Sequence, residues 1–324
     1  MQLNWGIIGL GHIAEKFAKD LKMVSDNNLV GAASRSLDKA NKFVARFDAP
    51  LAFNDYSSIL SNDKIDIVYI ATPHHLHHQI ALEALNKGKH VLCEKPITVN
   101  AGQLNELIAA SKDNNKFLME ALWSRFNPSV REVIDLIKSG TIGKVRYLNA
   151  DFYFNADISS DSRLTNPNLA GGALLDIGIY PVFLSYVLLG KPNTISIDTH
   201  FTDRHVDLQS AMIFKYDNAM SILSCGFNVL SDMVAKISGT KGEIQIDARW
   251  HEADGYTLIK DGKKSHKALP RIGTGFTHEI EACYNSIVNG ETNNQLWSHQ
   301  NSMDLMSLLD KLRAKIGLSY PFEK

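Results

Sequence analysis

The first third of the chain alternates short, nearly continuous apolar runs with segments whose apolar residues recur at helical spacing. Apolar runs of this kind are typical of strands that crossover helices cover on both faces. The candidate strands are LNWGIIGL (3–10), NLVGAAS (28–34), IDIVYIATP (65–73), HVLCEKP (90–96) and FLMEALW (117–123). The candidate helices lie near residues 12–22, 37–47, 76–87 and 101–112. The pattern predicts an α/β fold with a doubly wound, parallel sheet of the Rossmann type.

The pattern changes after Pro128, which opens a helix over PSVREVIDLIKSG. Long segments with partial alternation of apolar and polar residues then predict a mostly antiparallel sheet. These segments are VRYLNADFYFN (145–155), TISIDTHFTD (194–203), VDLQSAMIFKYD (206–217), AMSILSCGFN (219–228) and MVAKISGTKGEIQID (233–247). Helical patterns near residues 277–290 and 299–317 close the chain. We therefore predict a parallel α/β domain over residues 1–123 and an α+β domain over residues 124–324.

Length and charge are consistent with this division. A chain of 324 residues is long for one hydrophobic core and comfortable for two. Its 34 basic and 35 acidic side chains leave a net charge of -1. Nothing in that balance favours binding to nucleic acid or to an anionic membrane.

The cysteines and the apolar segments bear on the compartment. Cys93, Cys225 and Cys283 are odd in number and far apart, so the sequence suggests neither a disulfide framework nor a thiolate zinc site. The N-terminal segment lacks the basic flank and cleavage site of a signal peptide. The longest apolar stretch, residues 179–190, is too short to span a bilayer and predicts a buried helix. We expect a cytoplasmic protein.

The sequence GLGHIA follows the first candidate strand and opens a helix, with Gly9, Gly11 and Ala14 at GxGxxA spacing. In a dinucleotide-binding turn the first glycine permits the tight bend, and the second lets the backbone approach a pyrophosphate. The small third residue lets the helix pack close to its strand. We expect this turn, including His12 and Ile13, to bind the cofactor.

The end of the second candidate strand bears on the choice between NAD and NADP. A site that prefers NAD usually places Asp or Glu there, to bind the ribose hydroxyls. This chain has Ser34, Arg35 and Ser36 instead. A guanidinium flanked by hydroxyl groups can bind a 2′-phosphate, so NADP(H) is favoured and NAD(H) is possible. Arg35 as an ordinary solvated charge is the alternative, and Asp38 lies nearby.

The sequence LCEKP ends the candidate strand at residues 90–96. The carboxyl ends of the strands in an open α/β sheet face the ligand crevice. Glu94 and Lys95 are therefore expected beside the nicotinamide.

Four motifs in this order, GLGHIA, ATP (71–73), EKP (94–96) and GGALLDIGIY (171–180), resemble the glucose-fructose oxidoreductase, inositol dehydrogenase and rhizopine-catabolism (Gfo/Idh/MocA) family. The resemblance covers essentially the whole chain. It implies a dinucleotide-binding Rossmann domain over residues 1–123 and a domain for substrate binding and oligomerisation over residues 124–324. Within the family, ALWSRFNP (121–128) together with the tyrosine at position 180 looks most like dimeric dihydrodiol dehydrogenases and NADP-dependent D-xylose dehydrogenases. Many relatives have a histidine where this chain has Tyr180, which makes inositol dehydrogenases less similar.

The resemblance implies the catalytic residues. Hydride transfer needs a group that exchanges the proton of the substrate hydroxyl, and the resemblance assigns this role to Tyr180. A phenol has a pKa of about 10, so a nearby cation is needed near neutral pH, and Lys95 is expected to supply it. Asp176, four residues before Tyr180, is expected to bind a second substrate hydroxyl or to steady Lys95. Structural roles for all three are the alternative.

Aromatic and basic residues near residue 123 are further candidates. Trp123 and Arg125 follow a candidate strand and are expected to reach the cleft between the domains. An indole offers a flat wall to a sugar ring or an aromatic diol, and a guanidinium binds phosphate or hydroxyl groups. Phe152 and Phe154 alternate on the next candidate strand, and we include Phe154 in the substrate site, although aromatic residues in a sheet more often belong to the core.

The sequence ATPHHLHHQ (71–79) contains four histidines, of which His74, His77 and His78 are spaced to share a helix face. Imidazole is a common zinc ligand. The stretch begins, however, at the carboxyl end of a strand, where the adenine ribose and pyrophosphate are expected to pass. The resemblance places a histidine at position 77 near the cofactor without a metal. We therefore predict no metal site and assign Thr72, Pro73, His74 and His77 to the cofactor pocket.

These observations predict an NADP-dependent oxidoreductase that transfers a hydride between nicotinamide and a hydroxyl-bearing carbon of a small sugar, polyol or trans-dihydrodiol. One alternative is an NAD-dependent dehydrogenase of the inositol type. Another is a non-catalytic, NADP-binding regulatory protein of the same fold. The resemblance also implies a homodimer that associates through the C-terminal sheet.

Overall fold

A computed structural model describes residues 1–158 and 162–323. The chain forms two compact units. The first contains Met1–Trp123 and Ile272–Met303, and the second contains Ser124–Arg271 and Asp304–Lys324. The expected fold class is confirmed in both, since the first unit carries a parallel sheet and the second a large, mostly antiparallel one.

The parallel sheet of the first unit has six strands in the order β3-β2-β1-β4-β5-β6. The sequence order reverses direction beside β1, as in other doubly wound sheets. Its strands are β1 (Leu3–Ile8), β2 (Asn27–Ala33), β3 (Leu51–Phe53), β4 (Ile67–Ile70), β5 (His90–Glu94) and β6 (Leu118–Ala121).

Helices connect these strands. They are α1 (His12–Leu21), α2 (Leu37–Phe47), α3 (Tyr56–Leu60), α4 (His77–Asn86) and α5 (Ala101–Asp113). Ser36, Asp55 and Asn100 cap α2, α3 and α5, because each side chain accepts a hydrogen bond from an amide of its first turn. The short elements β3 and α3 were not among the predicted ones, because their three and five residues are too few to show a hydrophobic period.

The first unit also includes residues 272–303, which the sequence analysis assigned to the second domain. Helix α8 (Thr277–Val288) lies in this segment. The buried carboxylate of Asp20, on α1, accepts hydrogen bonds from the amides of Thr274 and Phe276 at 2.9 Å. Long-range contacts of this kind leave no periodic signal in the sequence, which is why the pattern did not reveal them.

The second unit has an eight-stranded sheet in the order β14-β13-β12-β11-β7-β10-β9-β8. All neighbouring strands are antiparallel except β7 and β10, which are parallel. The strands are β7 (Val145–Tyr153), β8 (Thr194–Phe201), β9 (Asp207–Lys215), β10 (Met220–Gly226), β11 (Ala235–Gly239), β12 (Gly242–Ile246), β13 (Gly255–Lys260) and β14 (Lys263–Ala268).

The hairpin of β13 and β14 was not predicted. The sequence of β14, KKSHKA, is exposed along its whole length and has no alternation. Lysine-rich edge strands of this kind oppose pairing with other chains. A signal was nevertheless present, because Asp261 and Gly262 form an Asp-Gly turn between the two strands.

Three helices complete the fold: α6 (Pro128–Lys138), α7 (Ile179–Leu189) and α9 (His299–Ile316). The segment Pro167–Leu189 is long and apolar enough to cross a membrane, but 72% of its most apolar window is buried inside the structure. Side chains of α7 pack on the sheet, where Val182 and Phe183 are fully buried. The segment therefore has the properties of a core helix.

Candidate functional site

The turn between β1 and α1 has the shape that a dinucleotide needs. Gly9 has a φ of 90°, and a Cβ atom on it would lie 2.7 Å from the backbone of Ala71. Gly11 precedes α1 in extended conformation, and a Cβ there would have no described atom within 4 Å. Ala14 is fully buried. Gly9 is thus required for packing, whereas Gly11 leaves open space in front of the first amides of α1.

Ser34, Arg35 and Ser36 lie together at the end of β2. Ser34 is buried and its hydroxyl oxygen accepts a hydrogen bond from the Ser36 amide at 3.3 Å. Arg35 is exposed and is close enough to His75 to contribute to lowering the pKa of that ring, although burial is the larger cause. Asp38 forms an ion pair of 2.7 Å with Lys42, on the surface of α2. Asp38 is therefore paired with a lysine of its own helix.

Thr72 and His77 order the turn after β4. The Thr72 side chain is 7% exposed, and its hydroxyl has no hydrogen-bond partner among the described residues. His77 is fully buried, with Nε2 at 2.8 Å from the carbonyl oxygen of Thr72 and Nδ1 at 2.9 Å from that of Pro96. Burial lowers the pKa of His77 to about 3, so the ring is neutral and donates one hydrogen bond at a time. His77 joins the turn after β4 to the turn after β5.

The other histidines of this stretch have separate surroundings. His74 is buried and its ring lies 5.7 Å from that of His77. His78 contacts Glu106 at 2.9 Å on the surface. Within the described part of the chain, no group of three or more His, Cys, Asp or Glu side chains has the arrangement of a metal site.

The EKP turn is held by two acidic residues. Glu94 accepts one hydrogen bond from the phenol of Tyr69 and another from the Lys95 amide at 3.2 Å. Lys95 is half-buried, and Lys95-Pro96 is a cis peptide bond. Glu120, on β6, accepts a hydrogen bond from the Ile97 amide at 3.1 Å, directly beyond the turn. The backbone around Lys95 is therefore fixed on both sides.

Trp123 lies at one end of a series of aromatic rings. It stacks on Phe276, with ring centres 5.1 Å apart and an angle of 6° between the planes. Phe276 contacts Phe17, and Phe17 stacks on Tyr69 at 3.7 Å. Since Tyr69 donates to Glu94, this series links Trp123 to the EKP turn within the first unit.

In the second unit, Tyr180 and Asp176 lie on one continuous helical segment. The segment begins with a π-helical turn, Leu174–Gly178, and continues as α7. π-helical turns are rare and occur frequently at functional sites. Tyr180 is 4% exposed. The Asp176 carboxylate lies 3.7 Å from the guanidinium of Arg163, an ion pair that the sequence did not predict.

The ring of Tyr180 lies against Phe152 and His251, at centre distances of 5.3 and 5.4 Å. His251 is 3% exposed and stacks on Phe152 at 4.1 Å. Phe154, the residue after β7, contacts Phe152 and Phe227. Phe152, on β7, is the phenylalanine whose ring contacts the phenol.

Arg125 is buried in the second unit, at 7% exposure. Burial lowers the pKa of its guanidinium, with a contribution from Arg131. Its Nε has no hydrogen-bond partner within residues 1–158 and 162–323. A buried donor of this kind is suited to an anionic or hydroxylated ligand.

Sequence reasoning missed His251, Tyr69, Phe276 and Glu120. Glu120 had a detectable signal, because it is the one charged residue inside the apolar run FLMEALW. A charge in such a run indicates a buried, hydrogen-bonded group. The others occupy ordinary apolar or surface patterns, and only the fold brings them beside the predicted residues.

Together, these features of the first unit fit a nicotinamide dinucleotide. Gly11 and the first amides of α1 offer room and hydrogen-bond donors for the pyrophosphate. The buried hydroxyl of Thr72 is a further donor beside that turn. Ser34 and Arg35 lie where the adenine ribose is bound in folds of this type.

Comparisons with known proteins agree with this geometry. Residues 3–122 match the family model described as "Oxidoreductase family, NAD-binding Rossmann fold", and residues 130–245 match "GFO/IDH/MocA C-terminal domain". The chain is 32% identical over 335 residues to trans-1,2-dihydrobenzene-1,2-diol dehydrogenase of Xenopus tropicalis, covering 99% of this chain and 100% of the relative.

Two solved structures extend the comparison. A 3-ketoreductase from Actinomadura kijaniata, in complex with NADP and TDP-benzene, superposes with a TM-score of 0.87 at 26% identity, covering 97% of this chain and 98% of that one. Levoglucosan dehydrogenase, in complex with NADH and L-sorbose, shares the fold, with a TM-score of 0.86 at 20% identity, covering 98% of this chain and 97% of that one.

Proposed function

The chain belongs to the Gfo/Idh/MocA oxidoreductase family, and from that premise we propose that it is an NADP-dependent dehydrogenase or reductase of a small sugar, polyol or trans-dihydrodiol. The observation that carries the proposal is the phenol of Tyr180, which is buried beside His251 and Phe152 in the domain that the family uses for its substrates. The proposal also includes Lys95 of the EKP motif, which the family resemblance assigns as the cation that assists the tyrosine.

The residues that would hold the cofactor are those of the first unit. The amides at the start of α1, next to Gly11, would bind the pyrophosphate. The hydroxyl of Thr72 would donate a hydrogen bond beside it. His77 and Glu94 would act indirectly, because the imidazole of His77 and the carboxylate of Glu94 are both engaged in hydrogen bonds within the protein.

Oxidation of an alcohol removes a hydride from carbon and a proton from oxygen. When bound, NADP(H) accepts or supplies the hydride. Tyr180 takes the hydroxyl proton in the oxidative direction and returns it in the reductive direction. In this proposal Lys95 is the cation that assists Tyr180, and Asp176 orients a second hydroxyl group of the substrate.

The aromatic residues beside Tyr180 favour a ring as substrate. Phe152, Phe154 and Phe227 form consecutive ring contacts, at centre distances of 6.4 and 5.2 Å. The rings meet edge to face, at angles of 66° and 62°, and an aromatic cluster of this kind favours a cyclic diol or the apolar face of a pyranose over an open-chain polyol. The dihydrodiol dehydrogenase to which this chain is 32% identical is named for a cyclic diol.

The preference for NADP rests on the end of β2. Arg35 is the charge available to a 2′-phosphate there, since Ser34 and Ser36 are neutral and Asp38 is paired with Lys42. A carboxylate directed at the ribose would repel that phosphate. The 3-ketoreductase from Actinomadura kijaniata was solved with NADP, whereas levoglucosan dehydrogenase was solved with NADH. The proposed preference of this chain therefore rests on its own residues at the end of β2.

We also propose a homodimer. On the sheet face opposite α7, Ile213 and Ile222 are directly paired across strands and Met220 lies beside them, with exposures of 45%, 41% and 42%. A contiguous apolar patch on a sheet favours association, and a twofold axis makes such a patch complementary to itself. Sedimentation velocity should show a dimer that Ile213→Lys converts to a monomer. A wild-type monomer at micromolar concentration would contradict this proposal.

The experiment that tests the function is a substrate screen. Aldoses, inositols and trans-dihydrodiols are each offered with NADP⁺ and with NAD⁺, and formation of reduced nicotinamide is followed by absorbance. We expect turnover of a cyclic substrate, faster with NADP⁺. Tight NADP⁺ binding without turnover across the panel would instead support a non-catalytic regulatory protein, and faster turnover of an inositol with NAD⁺ would support the inositol-type alternative.

A further inference from the structure

Asp207 is a fully buried carboxylate at the first position of β9. Its Oδ2 accepts a hydrogen bond of 2.5 Å from the amide of Leu174. Leu174 begins the π-helical turn that continues into α7 and carries Asp176 and Tyr180. The carboxylate therefore binds the positive end of the segment on which the proposed catalytic tyrosine lies.

The chain approaches this carboxylate unusually closely. Gly172 has a φ of 123°, and a Cβ atom on it would lie 2.1 Å from Oδ1 of Asp207. A Cβ on Gly171 would lie 2.7 Å from the carbonyl oxygen of Leu164. The phenol of Tyr320 donates a hydrogen bond of 2.9 Å to the Gly171 carbonyl from the other side. Gly172 is thus explained by the close approach of the segment's start to Asp207, and Gly171 by its approach to the backbone of residues 163–166.

Ionisation of Asp207 is unfavourable because its carboxyl group is buried. Burial raises the pKa of its carboxyl to about 7, while the amides of Leu174 and Ala173 and the guanidinium of Arg313 act in the opposite direction. The carboxyl in turn contributes to raising the pKa of Tyr320 and Cys225, for which burial is the main cause. Its Oδ1 has no hydrogen-bond partner in the part of the chain that the structure describes. Burying a carboxylate oxygen without a hydrogen bond disfavours folding, so stability alone does not explain this residue.

We propose that Asp207 is a positioning residue for Tyr180, which fixes the start of the Leu174–Leu189 segment so that the phenol is held against Phe152 and His251. The inference rests on the proposed function for its catalytic consequence. The structural part of the inference is independent of the proposed function, because the position of the segment can be followed without turnover. Asp207 does not touch the reacting atoms in this proposal and acts only through the helix.

Hydrogen exchange tests the structural part. The variants are Asp207→Ala, which removes both acceptors, and Asp207→Asn, which retains one oxygen for the Leu174 amide. The matched control is Asp198→Asn, on β8 of the same sheet, whose carboxylate accepts a hydrogen bond from the Thr199 amide. Loss of a helix cap should accelerate exchange of amides 173–182 by about 2- to 30-fold in Asp207→Ala. The exchange rates of Asp207→Asn should lie between those of Asp207→Ala and the wild type. The exchange rates of Asp198→Asn should match those of the wild type.

Steady-state kinetics tests the catalytic part. We expect kcat of Asp207→Ala to fall by roughly tenfold or more with KM for the cofactor unchanged within about twofold, because only the orientation of the phenol is lost. Asp207→Asn should recover part of kcat. Unchanged exchange at 173–182 in a folded Asp207→Ala protein would overturn the inference. Faster exchange with unchanged kcat would overturn the catalytic part, whereas absence of wild-type turnover would count against the proposed function alone.

Discussion

The carboxylate of Glu120 accepts a hydrogen bond from the indole nitrogen of Trp297 at 3.0 Å. The same oxygen accepts from Ser302 at 2.8 Å, and the other accepts from the Ile97 amide at 3.1 Å. Glu120 is 2% exposed, and burial raises the pKa of its carboxyl although all three donors act to lower it. One buried side chain therefore connects β6, the segment after the EKP turn and the segment 272–303 within the first unit.

Replacing Glu120 by alanine should destabilise the first unit strongly. Three buried donors would lose their acceptor, which costs roughly 3 kcal/mol or more in the free energy of unfolding. Glu120→Gln, which keeps the shape, should cost about half as much. The control is Glu106→Ala, on the surface beside His78, with an expected change within about 0.5 kcal/mol. Urea denaturation measures all three, and equal stability of Glu120→Ala and Glu106→Ala would contradict the assignment.

Arg35→Ala should weaken NADP⁺ binding without affecting NAD⁺. The lost charge-assisted hydrogen bonds to the 2′-phosphate correspond to roughly a 10- to 100-fold increase in Kd. Titration calorimetry with both cofactors measures the effect, and Lys39→Ala, in the first turn of α2, is the control. If wild-type protein bound NAD⁺ as tightly as NADP⁺, the argument from the end of β2 would be wrong.

Two glycines of one motif should respond differently to the same substitution. Gly9→Ala places a Cβ 2.7 Å from the Ala71 backbone at a φ of 90°, so the variant should lose roughly 2 kcal/mol of stability or more. In Gly11→Ala the new methyl group contacts nothing in the described chain within 4 Å, so stability should change by less than about 0.5 kcal/mol. Its methyl group would instead occupy the pyrophosphate position. Thermal unfolding combined with NADP⁺ titration separates the two effects.

The pH dependence of stability should carry the signature of Asp207. Its pKa is raised to about 7 by burial, from an ordinary value of 3.8. Between these values the native state holds a proton that the unfolded state has lost, so this group's contribution is complete below about pH 4 and is lost as the pH rises through 7. Asp207→Asn removes this dependence. The stability difference between the two proteins should therefore shift by up to about 3 kcal/mol in favour of the variant between pH 5 and 8.

Urea denaturation of wild type and Asp207→Asn over that range provides the measurement. Taking the difference cancels the surface carboxylates Glu83 and Glu132, whose pKa values are lowered by hydrogen bonds to Lys87 and Lys267 and which act in the opposite sense. A difference that stays constant with pH would mean that Asp207 titrates at its ordinary value.

The sequence predicted the elements of the fold that local patterns of residues define. The GLGHIA turn, the strands preceding it and following it, and the general course of both sheets come from hydrophobic periodicity and from glycines at fixed spacing. The hairpin β13–β14 escaped because its outer strand is all polar, and β3 escaped because it has three residues. Neither strand shows the alternation of apolar and polar residues from which strands are predicted.

The supporting residues of the site depend on long-range contacts, which a single sequence does not display. Glu120 and Trp297 are far apart in the chain and meet only in the fold. His251 lies in a short turn, Trp250–Glu252, and its proximity to Tyr180 follows from the packing of the second unit. Asp207 begins an alternating strand, DLQSAMIFK, and no local pattern there marks the carboxylate as buried.

The central claim is that Tyr180 exchanges the substrate proton during hydride transfer to or from NADP(H), and Tyr180→Phe tests it most directly. Tyr186→Phe is the control, because it removes a phenolic hydroxyl from the same helix, where it donates to Asp304 at 3.0 Å. With the best substrate of the screen, we expect kcat of Tyr180→Phe to fall by roughly 100-fold or more while its NADPH affinity stays within about twofold of wild type. Turnover of Tyr180→Phe equal to that of Tyr186→Phe would contradict the claim and remove the tyrosine from the mechanism.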